Sequence, residues 1–158
     1  MVRKFVIAAA SAAALALSAP AFAQQSGTAD EAKAMLMKAV AAMKADEAKT
    51  LDMVNKGEGG FLDRDLYVFC ATVRDGKLVA NPNPNAKQNL GKDIRTLKDP
   101  TGKAYGQEIY EAYQKPEGQV TEVRYMFPRP GADKTPVPKV SLVTRASEDL
   151  GCGVGYYK

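Results

Sequence analysis

The sequence predicts one α+β domain in which a long N-terminal helix lies across a five-stranded antiparallel sheet. Three observations lead there. Apolar residues recur at helical spacing from Ala32 to Val54. Past Lys56-Gly57-Glu58-Gly59-Gly60 the pattern changes to short runs rich in β-branched and aromatic residues. Five such runs follow, two before and three after an irregular crossover. At 158 residues, 46% of them hydrophobic and 25% charged, the chain suits a single soluble globular unit.

Residues 1–23 place Arg3 and Lys4 before an Ala/Val/Leu-rich run that ends in Ala21-Phe22-Ala23, the pattern of a cleaved Sec signal peptide. Its apolar stretch breaks at Pro20, short for a membrane span, so no membrane insertion is expected after cleavage. Residues 24–158 then form the domain, exported to the periplasm in a Gram-negative source. Cleavage takes the net charge from +4 to +2, and charge so slight and so evenly spread argues against nucleic acid as a partner.

Thr28 and Glu31 have the spacing of a capping box and open one helix that runs to about Asn55. The glycines after Lys56 end it. Residues 66–73 and 78–80, joined across Asp75-Gly76, read as a β-hairpin. In Asn81-Pro82-Asn83-Pro84-Asn85 the prolines lack the amide hydrogen a central strand needs, so the chain leaves the sheet. A crossover follows, with a short helix at about residues 105–114. Strands at about 119–127 and 139–146 flank a Pro/Gly-rich connection over 128–138, and a last strand covers about 151–157. A helix on one sheet face leaves the other half open, and a long crossover closing over it is where a small-molecule pocket forms.

Several function classes drop out. The chain has no histidine, which removes Ser-His-Asp and Cys-His catalysis, His-ligated zinc and haem on an axial His. Ser141 and Ser147 have no such base. Asp99-Pro100-Thr101-Gly102 lacks the repeated acidic ligands of a calcium loop and reads as a turn. Asp63, Asp65, Glu148 and Asp149 read as solvated loop charges. No enzyme activity, cofactor or metal is expected. Cys70 and Cys152, 82 positions apart and without a Cys-x-x-Cys motif, are expected to pair as a structural disulfide in an oxidising compartment.

Tyr67-Val68-Phe69, Asp75-Gly76-Lys77, Asn81-Pro82, Leu90-Gly91-Lys92 and Leu97-Lys98-Asp99-Pro100-Thr101-Gly102-Lys103 occur in an order that resembles the single-Cache family of extracytoplasmic sensor domains. The second half agrees, with Val123-Arg124-Tyr125-Met126-Phe127-Pro128-Arg129-Pro130, Lys139-Val140-Ser141-Leu142-Val143 and Gly151-Cys152-Gly153-Val154-Gly155-Tyr156-Tyr157. The resemblance implies a PAS-like five-stranded sheet and a pocket for small organic ligands, often short carboxylates. Asn81 stands where the family often has His, and Leu142 where it often has an aromatic residue.

A carboxylate pocket needs fixed positive charge and directed donors. Lys139, in register with the family's lysine, is the expected cation, and Asn81 and Ser141 are further polar candidates. Tyr67 and Phe69 share one face of their strand, as do Tyr125 and Phe127 of theirs. Arg124 is a second candidate cation for the ligand, although alternation sets it on the opposite face from the latter pair. The expected function is a periplasmic module that binds a small organic anion and signals, with a membrane sensor protein as the expected partner; the alternative is a docking scaffold for a sensor kinase with no small ligand.

Overall fold

A computed structural model describes residues 26–158. The expected signal peptide lies outside the described residues. Two helices come first, α1 (Ala29–Ala45) and α2 (Glu47–Lys56). The capping box is formed: Glu31 N–H donates to Thr28 Oγ1, and Thr28 N–H donates to the Glu31 carboxylate at 2.8 Å.

The single helix expected from residue 28 to 55 is interrupted at Asp46. This residue adopts an extended backbone, its N–H closes α1 on the Ala42 carbonyl, and its carboxylate accepts the Lys49 N–H to cap α2. One residue thus ends one helix and starts the next. Gly57, at φ +72°, terminates α2 in the left-handed region that glycine enters without steric cost.

Strands β1 (Leu62–Asp63), β2 (Leu66–Thr72) and β3 (Leu78–Ala80) follow, then two short 3₁₀ turns, helix α3 (Tyr105–Tyr113), and strands β4 (Thr121–Pro128), β5 (Pro136–Arg145) and β6 (Leu150–Tyr157). The sheet is antiparallel in the order β1-β2-β6-β5-β4, and β3 also pairs with β2. The two-residue β1 is a sixth strand that the sequence pattern does not announce. β5 starts at Pro136, inside what was expected to be irregular connection. The last β5–β6 pair is Lys139 with Tyr157, so Pro136 and Pro138 lie beyond the end of β6 and have ladder partners on β4 alone, the Pro138 carbonyl also accepting the Lys158 N–H. An edge position of that kind tolerates a missing donor.

Alternation divides the sheet into two unlike faces. One carries Val68, Cys70, Leu142, Cys152 and Val154, buried against Leu36, Ala39, Val40 and Met43 of α1 and Val54 of α2. Each of the larger side chains contributes about 1.5–3 kcal/mol by leaving water. Within this layer Cys70 and Cys152 stand directly opposite each other, with Cα atoms 4.1 Å apart, and form a disulfide that joins β2 to β6. The second face carries Tyr67, Phe69, Val123, Tyr125 and Val143, and packs under α3 through Tyr105, Ile109 and Tyr113.

Asp99 fastens the crossover over this second face. Its Oδ1 accepts from Thr101 N and Oγ1 and from Lys103 N, and its Oδ2 accepts the Met126 N–H of β4 at 2.9 Å. The Thr101 hydroxyl and these backbone donors hold its carboxyl down at about 2.

Candidate functional site

The second face has room because of glycine. Gly151, Gly153 and Gly155 alternate along β6, all pointing to this side, and a methyl at each would overlap a neighbour: the Tyr113 ring at 151, the Phe69 ring at 153, and Lys139 Cε at 155. The space opposite Ser141 left by Gly155 lets the Lys139 side chain lie across the sheet. Gly155→Ala is expected to push the lysine from its seat and to destabilise the domain by about 1–3 kcal/mol, the usual range for overpacking, read as a lower melting temperature.

Lys139 is 1% exposed. Its ammonium donates to the Tyr67 hydroxyl at 2.5 Å and lies 4.1 Å from the Tyr67 ring centroid, 5.0 Å from Tyr157, 5.1 Å from Phe127 and 6.0 Å from Tyr125. Four rings thus surround one cation, which favours the charge through their electron-rich faces. Among the described residues no carboxylate pairs with it. Burial wins over the rings and lowers its pKa from 10.5 to about 7, the negative charge of Asp65 opposing part of that fall. Burial also pushes Tyr67 and Tyr125 well above the ordinary tyrosine range and Tyr105 to about 12, so all three are neutral donors at physiological pH.

In front of these rings is a cavity of about 40 Å³, lined by Tyr67, Phe69, Asn81, Tyr105, Tyr125 and Phe127 and closed by Leu78, Ile94, Leu97 and Ile109. It has space for about three waters or a very small organic molecule. Tyr105 of α3 stacks on Tyr125 of β4, with centroids 4.1 Å apart and planes 3° from parallel. That pair joins the crossover to the sheet and forms one wall.

Asn81 stands in another wall, at the head of a chain of Asx turns that runs through Pro82-Asn83-Pro84-Asn85. Asn81 Oδ1 accepts from Asn83 N–H, and Asn83 Oδ1 accepts from Asn85 N–H. The side-chain oxygens thus satisfy the backbone donors that the prolines on either side keep out of a ladder. Asn83, fully buried, donates through Nδ2 to the Tyr67 hydroxyl at 2.9 Å, so Tyr67 receives both this amide and the Lys139 ammonium. Asn81 is anchored by its own N–H on Asn55 Oδ1 of α2, which leaves its Nδ2 as the spare donor on the cavity wall.

A second cluster lies beside Tyr157. Asp65, expected as a solvated loop charge, is buried: it pairs with Arg129 and accepts the Gly27 N–H at 2.6 Å. The correction has a clear cause, since Arg129 and the chain entering α1 supply the donors a buried carboxylate requires. Arg129 also stacks on the Tyr157 ring at 4.7 Å and donates to Ser26 Oγ.

Of the residues predicted from sequence, Tyr67, Phe69, Asn81, Tyr125 and Phe127 meet at the cavity. Lys139 stands one ring behind its wall, and Ser141 lies deeper still, bonded to the Tyr125 hydroxyl at 2.9 Å. Arg124 does not join them. It is exposed, and its guanidinium pairs with Glu122 at 2.7 Å, because alternation along β4 turns it away from Tyr125. Sequence reasoning missed Tyr105, Asn83, Tyr157 and Gly155. The alternating glycines of β6 were a readable signal for the last; nothing local marked the others.

The family model described as Single Cache domain 2 matches residues 14–157 of this chain. No curated protein matches. Among solved structures, the periplasmic sensor domain of a chemotaxis protein is similar at a TM-score of 0.59 and 24% identity, covering 81% of this chain and 88% of its own. A methyl-accepting chemotaxis protein from Vibrio parahaemolyticus is similar at a TM-score of 0.63 and 21% identity, covering 81% and 86%. A Cache chemosensory domain described for carboxylic acid recognition is similar at 0.59 and 24%, again covering 81% and 86%.

Proposed function

We propose, from the premise that this chain belongs to the single Cache domain 2 family of sensor domains, that its cavity binds a small organic anion of the short-chain carboxylate type outside the cytoplasm. The observation that carries this reading is Lys139: a buried ammonium with aromatic rings on its flanks, a hydrogen bond to a tyrosine that lines a small cavity, and no carboxylate paired with it among the described residues. A buried cation without a counter-ion is costly, and an arriving anion relieves that cost. The Tyr67 hydroxyl, polarised by Lys139, and the Asn81 amide are the donors such an anion meets first. The apolar closure by Leu78, Ile94, Leu97 and Ile109 suits a short hydrocarbon tail.

Periplasmic action and a membrane sensor as partner belong to the same reading. What supports them is membership of the sensor family. The test is a thermal-shift series with acetate, propionate, butyrate, lactate and pyruvate. An acid present at a hundred times its Kd is expected to add about 2.7 kcal/mol of stability. A melting temperature that none of the five moves would overturn the anion reading and leave a docking scaffold.

A further inference from the structure

Lys139 is packed by elements that bring it almost no opposing charge. From β2 it faces Tyr67, and before that strand Asp65; from β4, Tyr125 and Phe127; from β6, Tyr157; and from the β4–β5 connection, Arg129 stands on the far part of the same cluster. Asp65 is already engaged by Arg129 and by the Gly27 N–H. The tyrosines are neutral, because burial raises each of them. A charged Lys139 in the empty domain is therefore an isolated buried cation, whereas an uncharged one leaves the cage with no net charge.

Filling the cavity changes that balance. One negative charge on the cavity side of Tyr67, whose hydroxyl accepts from the ammonium behind it, makes the buried cluster neutral. A dianion leaves one negative charge over, and a zwitterionic amino acid brings a second ammonium for which the cavity lining holds no carboxylate. We propose that the site takes up one singly charged anion together with one proton, the proton forming an N–H bond on the Lys139 Nζ and coming from solvent buffer. This rests on the anion reading above and deepens it: the ligand is a monoanion with an uncharged tail, and its binding tightens as pH falls.

Titration calorimetry of acetate and propionate on the wild-type domain tests it. With the free lysine titrating at about 7 and locked in its charged form by the ligand, linkage predicts uptake of about 0.9 proton per anion at pH 8, read from the difference between phosphate and Tris buffers. The same linkage makes Kd about 30-fold weaker at pH 8.5 than at pH 6. Malonate and alanine are expected to bind at least about 100-fold more weakly than propionate, the difference an uncompensated buried charge imposes. Acetate or propionate binding with no proton uptake and a flat Kd overturns the inference while the anion reading stands, as does malonate or alanine binding as tightly as propionate. Binding of neither monocarboxylate at any pH, with butyrate, lactate and pyruvate equally without effect, overturns both together.

Discussion

Lys139→Met is expected to abolish anion binding and at the same time to stabilise the empty domain. Methionine has a similar length, fills the space among Tyr67, Tyr125, Phe127 and Tyr157, and has no charge to desolvate. Tyr67 keeps its hydrogen bond from Asn83. The lysine's folded value of about 7 lies below its unfolded value of 10.5, so between those limits the unfolded chain binds more protons than the folded one. The empty wild-type domain thus gains stability as pH rises from 7 towards 10.5, and at pH 7 the lysine costs it on the order of 4 kcal/mol. Urea denaturation of both proteins at pH 7 and pH 9.5 checks this. The variant is expected to be the more stable at pH 7, with the gap closing at the higher pH. A variant less stable than wild type at pH 7 would mean that the rings and the Tyr67 hydroxyl more than compensate the buried charge.

Removing the disulfide, as Cys70→Ala with Cys152→Ala, is expected to lower stability by about 2–5 kcal/mol. The bridge spans 82 residues, and freeing a loop of that length returns a large amount of conformational freedom to the unfolded chain. The chain-entropy treatment gives about 4.5 kcal/mol for it. The two alanines also leave a gap against α1, because both sulfurs are completely buried in the layer that Leu36 and Val40 share. Denaturant midpoints with and without reductant measure the effect. Wild type under reduction and the double alanine variant are expected to fall together; a midpoint indifferent to reductant would show that the two strands hold without the bridge.

Much of this fold was legible because its signals are local. The Thr28–Glu31 cap, the hairpin around Asp75-Gly76 and the turn from strand to irregular chain at Asn81 each depend on residues a few positions apart. Asp46 was missed for a specific reason: the buried positions Met43, Thr50 and Val54 keep a helical spacing across the break, so periodicity passes over it while the cap interrupts the backbone. The start of β5 was hidden because its prolines are permitted by the place where β6 ends, which is a fact of register.

The site shows the same division. Which rings share a strand face follows from alternation, and so does the outward turn of Arg124. That Lys139 meets Tyr67, 72 positions away, depends on how β5, β6 and β2 line up. The burial of Asp65 depends likewise on Arg129, 64 positions on. No window of sequence contains either pair.

The bare positions of β6 give this domain a way to change what it accepts. A glycine codon is one base from an alanine codon, and the methyl group that such a change adds projects from a strand whose backbone any residue adopts. At 153 and 155 it would land under two different tenants of the open face, an aromatic ring and a cation. A methyl at 153 thus acts on a ring that lines the hollow and one at 155 on the seat of its charge, each forcing its neighbour to shift.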